Sequence, residues 1–194
     1  MIKPSIAFAA IALGATPATP LSAQEAQNDA RAYLDRIAAI DDAGPELNAV
    51  IAVNRNAPDE ARVAEAAGLP LAGRTVLVKD NIETRELPTT AGSLALAGNN
   101  TGRDAPLIAN LRAAGGVVLG KANLSEWANI RDFNSTSGWS AVGGLTRNPH
   151  AIDRNTCGSS SGSAAAVAAG FAWTAIGTET NGSITCPASV NGVV

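Results

Sequence analysis

Apolar residues of this chain first become periodic beyond its N-terminal segment, between residues 25 and 40. Leu34, Ile37 and Ile40 recur at helical spacing with charged residues between them, which predicts an amphipathic helix that ends before Gly44. By the same reasoning, the pattern predicts further helices over residues 59–67, 104–114, 123–130 and 162–170, and a short one over 93–97.

Two short runs of β-branched and apolar residues predict buried strands. Residues 75–79 read Thr-Val-Leu-Val-Lys and residues 117–120 read Val-Val-Leu-Gly, and such runs are typical of strands covered on both faces. Residues 47–53 and 171–178 are further strand candidates. Because helices alternate with buried strands, the pattern predicts an α/β fold built in layers.

The stretch between residues 131 and 163 follows neither period. It is rich in Gly, Ser, Thr and Asn, and an irregular stretch of this length inside a compact domain is usually functional. The sequence then ends on Asn191-Gly192-Val193-Val194, an apolar and turn-rich finish that is typical of a chain cut inside a domain. We therefore expect a fold that is incomplete at its C-terminus.

The composition mainly argues against certain classes of protein and partner. The chain has 194 residues, of which 46% are hydrophobic and 16% are charged, which suffices for one globular domain with a core. Its net charge is -3 and its pI is near 5.1. Without a cluster of lysines and arginines, there is no reason to expect a nucleic-acid partner. Nothing in the sequence indicates an oligomeric state.

The N-terminal segment has the pattern of a secretory signal peptide. Lys3 supplies the positive charge, residues 6–15 are apolar, and Ala23 is a small residue suited to cleavage before Gln24. The apolar run is too short to span a bilayer comfortably. We predict a signal peptide over residues 1–23 and a periplasmic or secreted domain over residues 24–194 with no membrane span. A disordered or partly buried N-terminal tail is the alternative.

Two segments hold serines and glycines at a density that a structural core does not need. Residues 157–163 read Cys-Gly-Ser-Ser-Ser-Gly-Ser, and residues 181–183 read Asn-Gly-Ser. Glycine lets the backbone approach a ligand closely, and a serine hydroxyl becomes a nucleophile when a base activates it. The two segments therefore indicate a serine hydrolase.

The two cysteines, Cys157 and Cys186, lie within or next to these segments. An oxidising compartment would permit a bond between them, but we interpret both as small packing residues. They do not indicate a metal site, because no residues near them have ligand spacing and His150 is the single histidine of the chain.

The base that activates a serine would be either His150 or Lys79. His150 follows Asn148-Pro149 in a predicted loop, and no Gly-x-Ser-x-Gly elbow surrounds Ser183, so we interpret it as an exposed loop residue. Lys79 ends a buried strand, where desolvation would lower the pKa of its amine and make it a usable base. Taken alone, it could equally be a surface lysine paired with Asp80.

Three motifs together resemble the amidase signature family, and the similarity extends over about residues 33–194. They are residues 76–84, which hold Lys79, residues 157–170, whose specific part is 158–170, and residues 177–188, whose specific part, 177–184, reads Gly-Thr-Glu-Thr-Asn-Gly-Ser-Ile. The resemblance implies a layered α/β/α fold with a central mixed sheet. It also implies hydrolysis of a small-molecule amide without a metal or cofactor.

By the same resemblance, the catalytic set is a Ser-Ser-Lys triad. Lys79 would be the base, Ser159 the bridging serine and Ser183 the nucleophile. Ser159 would relay a proton from Ser183 to Lys79 and later return one to the leaving amine. The family also implies a cis peptide bond between Gly158 and Ser159. The oxyanion hole would consist of the backbone N–H groups of Thr180, Asn181, Gly182 and Ser183.

Some positions depart from the commonest family pattern. Cys157 and Ser161 stand where Gly is usual, Asn181 where Gly or Asp is common, and Thr185 where Arg is frequent. None of these departures removes a triad member, so they concern the substrate more than the chemistry. We interpret the remaining serines of the first segment as loop and helix-capping residues, namely Ser160, Ser161 and Ser163.

Because members of this family are usually more than twice as long as this chain, three hypotheses stay open. The first is an exported amidase, which could also cleave esters. The second is the glutaminase-type component of a tRNA-dependent amidotransferase, against which the secretory segment and the acidic pI argue. The third is a truncated protein that keeps the motifs but lacks a substrate pocket and is inactive.

Overall fold

The computed structural model describes residues 23–194, so the predicted signal peptide lies outside the described residues except for its last one. The helices are α1 (Ala23–Ile40), α2 (Ala57–Ala66), α3 (Pro106–Ala113), α4 (Ser161–Ala168) and α5 (Thr185–Asn191). The strands are β1 (Val50–Val53), β2 (Thr75–Lys79), β3 (Val117–Ala122), β4 (Trp139–Ser140), β5 (Gly144–Leu145), β6 (Arg147–Asn148), β7 (Ala151–Asn155) and β8 (Thr174–Ile176).

The central sheet has the strand order β1-β3-β2-β8. Strand β2 runs parallel to both β3 and β8, whereas β1 is antiparallel to β3. The sheet is therefore mixed. Every residue of β2 and β3 is buried, which explains why these two strands have continuous apolar runs rather than alternating ones.

Helices cover both faces of this sheet. On one face, Leu77 and Leu119 pack with Ile37 of α1 and Ala165 of α4. On the other face, Val78 and Val118 pack with Ile108 of α3. Because alternate residues of a strand point to opposite faces, β2 and β3 each contribute side chains to the hydrophobic core on either face of the sheet. The layered α/β/α fold is confirmed.

One predicted helix, residues 123–130, is wrong. A single 3-10 turn, Glu126–Asn129, occupies part of the segment, and Trp127 and Ala128 there have positive φ angles of 52° and 55°. Two N–H groups of this segment bond to distant parts of the chain instead of to a helical ladder. That of Ser125 donates to the Ser159 carbonyl at 3.0 Å, and that of Trp127 donates to the Ala91 carbonyl at 2.9 Å.

The irregular stretch after residue 131 forms two small antiparallel pairs, β4 with β5 and β6 with β7. The two less regular strand candidates are confirmed as shorter strands, β1 and β8. Among the helices of residues 23–194, none combines the length and the apolar character that a membrane crossing requires.

Candidate active site

Lys79, the last residue of β2, is fully buried. Its Nζ lies 2.8 Å from Ser159 Oγ, 2.8 Å from Thr178 Oγ1 and 3.2 Å from the Thr178 carbonyl oxygen. Burial lowers the pKa of the amine to about 8, because the charged form loses its hydration. None of these partners is an acid, so the alternative of a surface lysine paired with Asp80 is wrong.

Asp80 pairs instead with a second buried lysine, Lys121 of β3. Asp80 Oδ1 lies 3.2 Å from Lys121 Nζ, and both side chains are fully buried. Lys121 Nζ also donates to the Ile82 carbonyl at 2.8 Å and to Thr89 Oγ1 at 2.8 Å, while Asp80 Oδ2 accepts from the backbone and side chain of Thr90. This pair therefore anchors the loop that leaves β2 directly after the candidate base.

Ser159 is fully buried at the start of the segment that leads into α4. The peptide bond between Gly158 and Ser159 is cis, as the resemblance implies. A Cβ atom at Gly158 would clash with Ser125 Oγ, so only glycine fits there. The Ser125 N–H donates to the Ser159 carbonyl at 3.0 Å, and this bond helps to hold Ser159 beside Lys79.

Ser183 is half-buried in the turn between β8 and α5. Its carbonyl oxygen accepts a hydrogen bond of 2.9 Å from the Ser160 N–H, which places it beside the segment of Ser159. Within the described chain, no hydrogen bond joins Ser183 Oγ to Ser159 Oγ. The structure therefore joins Lys79 and Ser159 directly and brings Ser183 alongside them.

The turn that carries Ser183 is organised by Glu179, to which the sequence analysis assigned no role. The Glu179 carboxylate accepts hydrogen bonds from the N–H groups of Thr185 at 2.8 Å, Ile184 at 2.6 Å and Gly182 at 3.0 Å. These bonds, that of Thr185 foremost, lower the pKa of Glu179, because they favour its charged form. Its position inside the motif of residues 177–184 was the available signal.

The four residues predicted to form an oxyanion hole lie in this turn. Thr180 and Asn181 are exposed, and neither makes a hydrogen bond within the part of the chain that the structure describes. Gly182 has a φ of 76°, a conformation that glycine adopts without strain. Its N–H is the one already engaged by Glu179.

Thr178 is a second residue that the sequence analysis missed. Besides contacting the amine of Lys79, its Oγ1 accepts a hydrogen bond of 3.0 Å from Asn81 Nδ2. Its backbone is held by Ser160, whose Oγ donates to the Thr178 carbonyl at 3.1 Å and accepts from the Thr178 N–H at 3.2 Å. Asn81 and Ser160 therefore fix the side chain and the backbone of Thr178, the two parts that contact the buried amine.

Of the interpretation of the remaining serines as loop and helix-capping residues, the capping part is wrong. No side chain caps the N-terminus of α4. Ser160 bonds to Thr178, and Ser163 Oγ donates to the Ile176 carbonyl of β8 at 3.0 Å. Ser161 Oγ is buried without a hydrogen-bond partner among the described residues. Ser160 and Ser163 thus connect α4 to the end of β8.

The interpretation of the cysteines as packing residues is also wrong, because Cys157 and Cys186 form a disulfide with a Cα–Cα distance of 5.9 Å. By contrast, the structure agrees with an exposed His150, whose Nε2 lies 2.9 Å from the Asn191 carbonyl oxygen and near neither candidate serine. Among residues 23–194, no group of three or more His, Cys, Asp and Glu residues could hold a metal ion.

Sequence comparisons support an amidase relationship. The sequence model of the Amidase family matches residues 30–194. A probable amidase from Arabidopsis thaliana is 47% identical over 171 residues, which cover 84% of this chain and 33% of that protein. A glutamyl-tRNA(Gln) amidotransferase subunit from Acidothermus cellulolyticus is 44% identical over 178 residues, which cover 87% of this chain and 33% of that protein.

A solved structure agrees with these relatives. The native peptide amidase from Stenotrophomonas maltophilia superimposes with a TM-score of 0.82 at 50% identity, over 88% of this chain and 38% of that one. The chain thus spans little more than a third of the length of the proteins that it matches. Since the family's sequence model covers most of the chain and the chain superimposes on a solved amidase, the chain belongs to the Amidase family.

Proposed function

We propose that this protein hydrolyses the C–N bond of a carboxamide through an acyl-enzyme on Ser183. The observation that carries this proposal is the buried, acid-free amine of Lys79, 2.8 Å from Ser159 Oγ. A lysine amine with a pKa of about 8 is partly neutral near physiological pH, which suits a general base.

The contacts of Lys79 orient its lone pair. A neutral amine has two N–H donors and one lone pair. Thr178 offers two acceptors, Oγ1 and the carbonyl oxygen, which can take both N–H groups. The lone pair then points at the third neighbour, Ser159 Oγ, and accepts its proton.

The proton relay follows from this arrangement. Ser183 Oγ attacks the amide carbon while its proton passes to Ser159 Oγ and the proton of Ser159 passes to Lys79 Nζ. The tetrahedral intermediate collapses as the C–N bond breaks, and Lys79 returns a proton through Ser159 to the leaving nitrogen. Water then attacks the acyl ester by the same relay, which releases the carboxylate and restores Ser183.

Two features support this sequence of steps. The bond from the Ser160 N–H to the Ser183 carbonyl keeps the nucleophile beside Ser159, and catalytic hydrogen bonds often close only when substrate binds. The partner-free N–H groups of Thr180 and Asn181 can stabilise the oxyanion together with that of Ser183. The N–H of Gly182, the fourth predicted donor, is engaged by Glu179.

For the substrate, we propose small amides, including amides of peptides. The relative that supports this class is the peptide amidase with 50% identity to this chain. We also propose a periplasmic or secreted location, which the pattern of residues 1–23 supports. The disulfide agrees with it, because such bonds persist in oxidising compartments.

A second candidate is the amidotransferase role, which the relatives of that name favour. It would require a cytoplasmic location and tRNA, and the secretory segment and the acidic pI of about 5.1 argue against it. The truncated, inactive alternative rests on the chain's share of its relatives' length, which is 33% for the Arabidopsis protein.

The test is ammonia release from aliphatic, aryl and peptide amides by the purified chain that starts at Gln24. We expect Ser183→Ala to abolish it and Ser189→Ala, an exposed serine of α5, to leave it unchanged. Equal rates in Ser183→Ala and the parent chain would refute the assignment of the nucleophile. Activity on glutamine alone, with transfer to a tRNA-bound acceptor, would favour the second candidate.

A further inference from the structure

The disulfide between Cys157 and Cys186 lies next to both candidate catalytic serines. Cys157 precedes Ser159 by two residues, and Cys186 follows Ser183 by three. The steps of the proposed hydrolysis do not use it. We propose that it is a positioning cross-link that holds Ser183 in reach of Ser159, an inference that rests on the proposed function.

On the first side, the cross-link joins a segment that is already rigid. The Cys157 N–H donates to Asn155 Oδ1 at 2.6 Å, and Asn155 Nδ2 donates to the Ser137 carbonyl at 2.6 Å. From Cys157, the chain reaches the fully buried Ser159 through Gly158 alone. The Cys157 sulfur is therefore attached to the fixed part of the site.

On the second side, the cross-link joins the turn that carries the nucleophile. Cys186 lies in the first turn of α5, and its N–H donates to the Gly182 carbonyl at 3.0 Å. Ser183 and Ile184 lie inside this hydrogen-bonded turn. A displacement of Cys186 would therefore move Ser183 with it.

The hydrogen bonds that join α5 to the strand β7 side of the first segment lie at its far end, while its first residue, Thr185, bonds to Glu179 within the turn of Ser183. Asn191, the last residue of the helix, is fully buried, and its Nδ2 donates to the Thr156 carbonyl at 3.2 Å and to the Pro187 carbonyl at 2.7 Å. At the near end, the backbone bond between Ser160 and Ser183 is the direct hydrogen bond to the first segment. Without the disulfide, α5 can pivot about Asn191 and carry Ser183 away from Ser159.

The experiment compares three states of the Gln24 chain: oxidised, reduced, and the double variant Cys157→Ser/Cys186→Ser. Reduction by a dithiol breaks the S–S bond, transfers two electrons and two protons to the cysteines and leaves the dithiol as its own disulfide. Serine has nearly the size of cysteine and cannot form the bond. Thiol titration first measures whether the protein purified without reductant contains free thiols, and none are expected.

In the reduced chain and the double variant, we expect kcat to fall roughly 10- to 100-fold with KM within about 3-fold, because a misplaced nucleophile weakens the chemical step rather than binding. The pH midpoint of kcat/KM should stay in place, since the contacts of Lys79 with Thr178 are unchanged. Ile108→Val, a core change within α3, controls for lost stability alone and should retain the parent kcat.

Hydrogen exchange of the amides of residues 182–186 provides a readout that does not depend on activity. We expect at least roughly 10-fold faster exchange there in the double variant, with α1 unchanged as the internal reference. Equal exchange, an unchanged kcat or two free thiols in the parent chain would overturn the inference. If the parent chain hydrolyses no amide, the proposed function fails, and the exchange rates alone decide whether the cross-link positions Ser183.

Discussion

The buried amine of Lys79 is surrounded by hydroxyl and carbonyl oxygens, and no carboxylate is among its hydrogen-bond partners. A carboxylate would stabilise the charged amine and raise its pKa, whereas burial among neutral oxygens lowers it to about 8. The acid that follows in the sequence, Asp80, is turned to the other side, where Lys121 neutralises it. At the scale of the residue, the separation of these two lysines determines which of them can act as a base.

This surrounding predicts a pH dependence. Below its pKa, Lys79 is protonated and cannot accept a proton, so kcat/KM should rise with pH, reach half its maximum near pH 8 and level off above it. The measurement is kcat/KM between about pH 6 and 10 in a buffer series of constant ionic strength. Lys79→Met should remove the activity at every pH. A midpoint near the ordinary lysine value of about 10.4 would contradict the assigned environment.

Glu179 provides a second prediction at this scale. Glu179→Gln removes the charge that holds three N–H groups of the turn, so kcat should fall about 10- to 100-fold, less than the loss of an oxyanion donor itself causes. KM should change little, because the substitution leaves the side chains that would contact the substrate unchanged. Asp153→Asn, which changes an exposed carboxylate on β7, is the matched control. Parent-like kcat in Glu179→Gln would show that the turn keeps its shape without the carboxylate.

At the scale of the element, β2 and β3 place both buried lysines at the same end of the sheet. In their parallel register, Val78 lies opposite Lys121 and Lys79 opposite Ala122. Since side chains alternate along a strand, the two amines lie on opposite faces of the sheet. The Lys79 amine contacts Ser159, whereas the Lys121 amine neutralises Asp80 and holds the loop after β2. Helix α4 lies so close to this end of the sheet that a Cβ atom at Gly162 would be only 2.5 Å from the Asn123 backbone nitrogen.

The pair formed by Asp80 and Lys121 predicts a large effect on stability. Burial raises the pKa of Asp80 and lowers that of Lys121, so each charge depends on the other. Lys121→Met should lower the free energy of unfolding by about 3–5 kcal/mol, because it leaves a buried carboxylate without its partner. Urea unfolding followed by circular dichroism measures it.

The double variant Asp80→Asn/Lys121→Met is the control for this prediction. It removes both charges, so it should lose less stability than Lys121→Met alone. A double variant that loses as much as the sum of the single variants would mean that the two side chains act independently.

At the scale of the whole molecule, the predicted cleavage before Gln24 would leave Ile37 and the other buried residues of α1 in place. The disulfide joins two segments separated by 29 residues in the sequence, and its formation would follow export into an oxidising compartment.

This arrangement predicts the processing of the chain. Expressed from Met1 in a bacterium with a secretory pathway, the protein should be recovered from the periplasm with Gln24 as its first residue. N-terminal sequencing and intact mass measure this directly. A variant with Lys3→Glu, which reverses the charge of the leading segment, should be exported less efficiently. A cytoplasmic product that retains residues 1–23 would contradict the prediction.

The sequence by itself determined the local features of this protein. Apolar runs and periodicity predicted the two buried strands, over residues 75–79 and 117–120, together with the layered fold and helices that correspond to α1 to α4, because such patterns are read over a few neighbouring residues. Periodicity left open whether Lys79 is buried or is a surface residue paired with Asp80. The motifs, through the family resemblance, indicated which residues to look for at the site.

Tertiary structure decided which distant residues meet. The hydrogen bonds of Ser125 and Trp127 replaced a predicted helix, because Ser159 and Ala91 offered acceptors that local spacing cannot reveal. The Cys157–Cys186 bond, the Thr178 oxygens around Lys79 and the pairing of Asp80 with Lys121 likewise join residues far apart in the sequence. Such contacts depend on the order of the strands and the packing of helices over them, and these arise only when the whole chain folds.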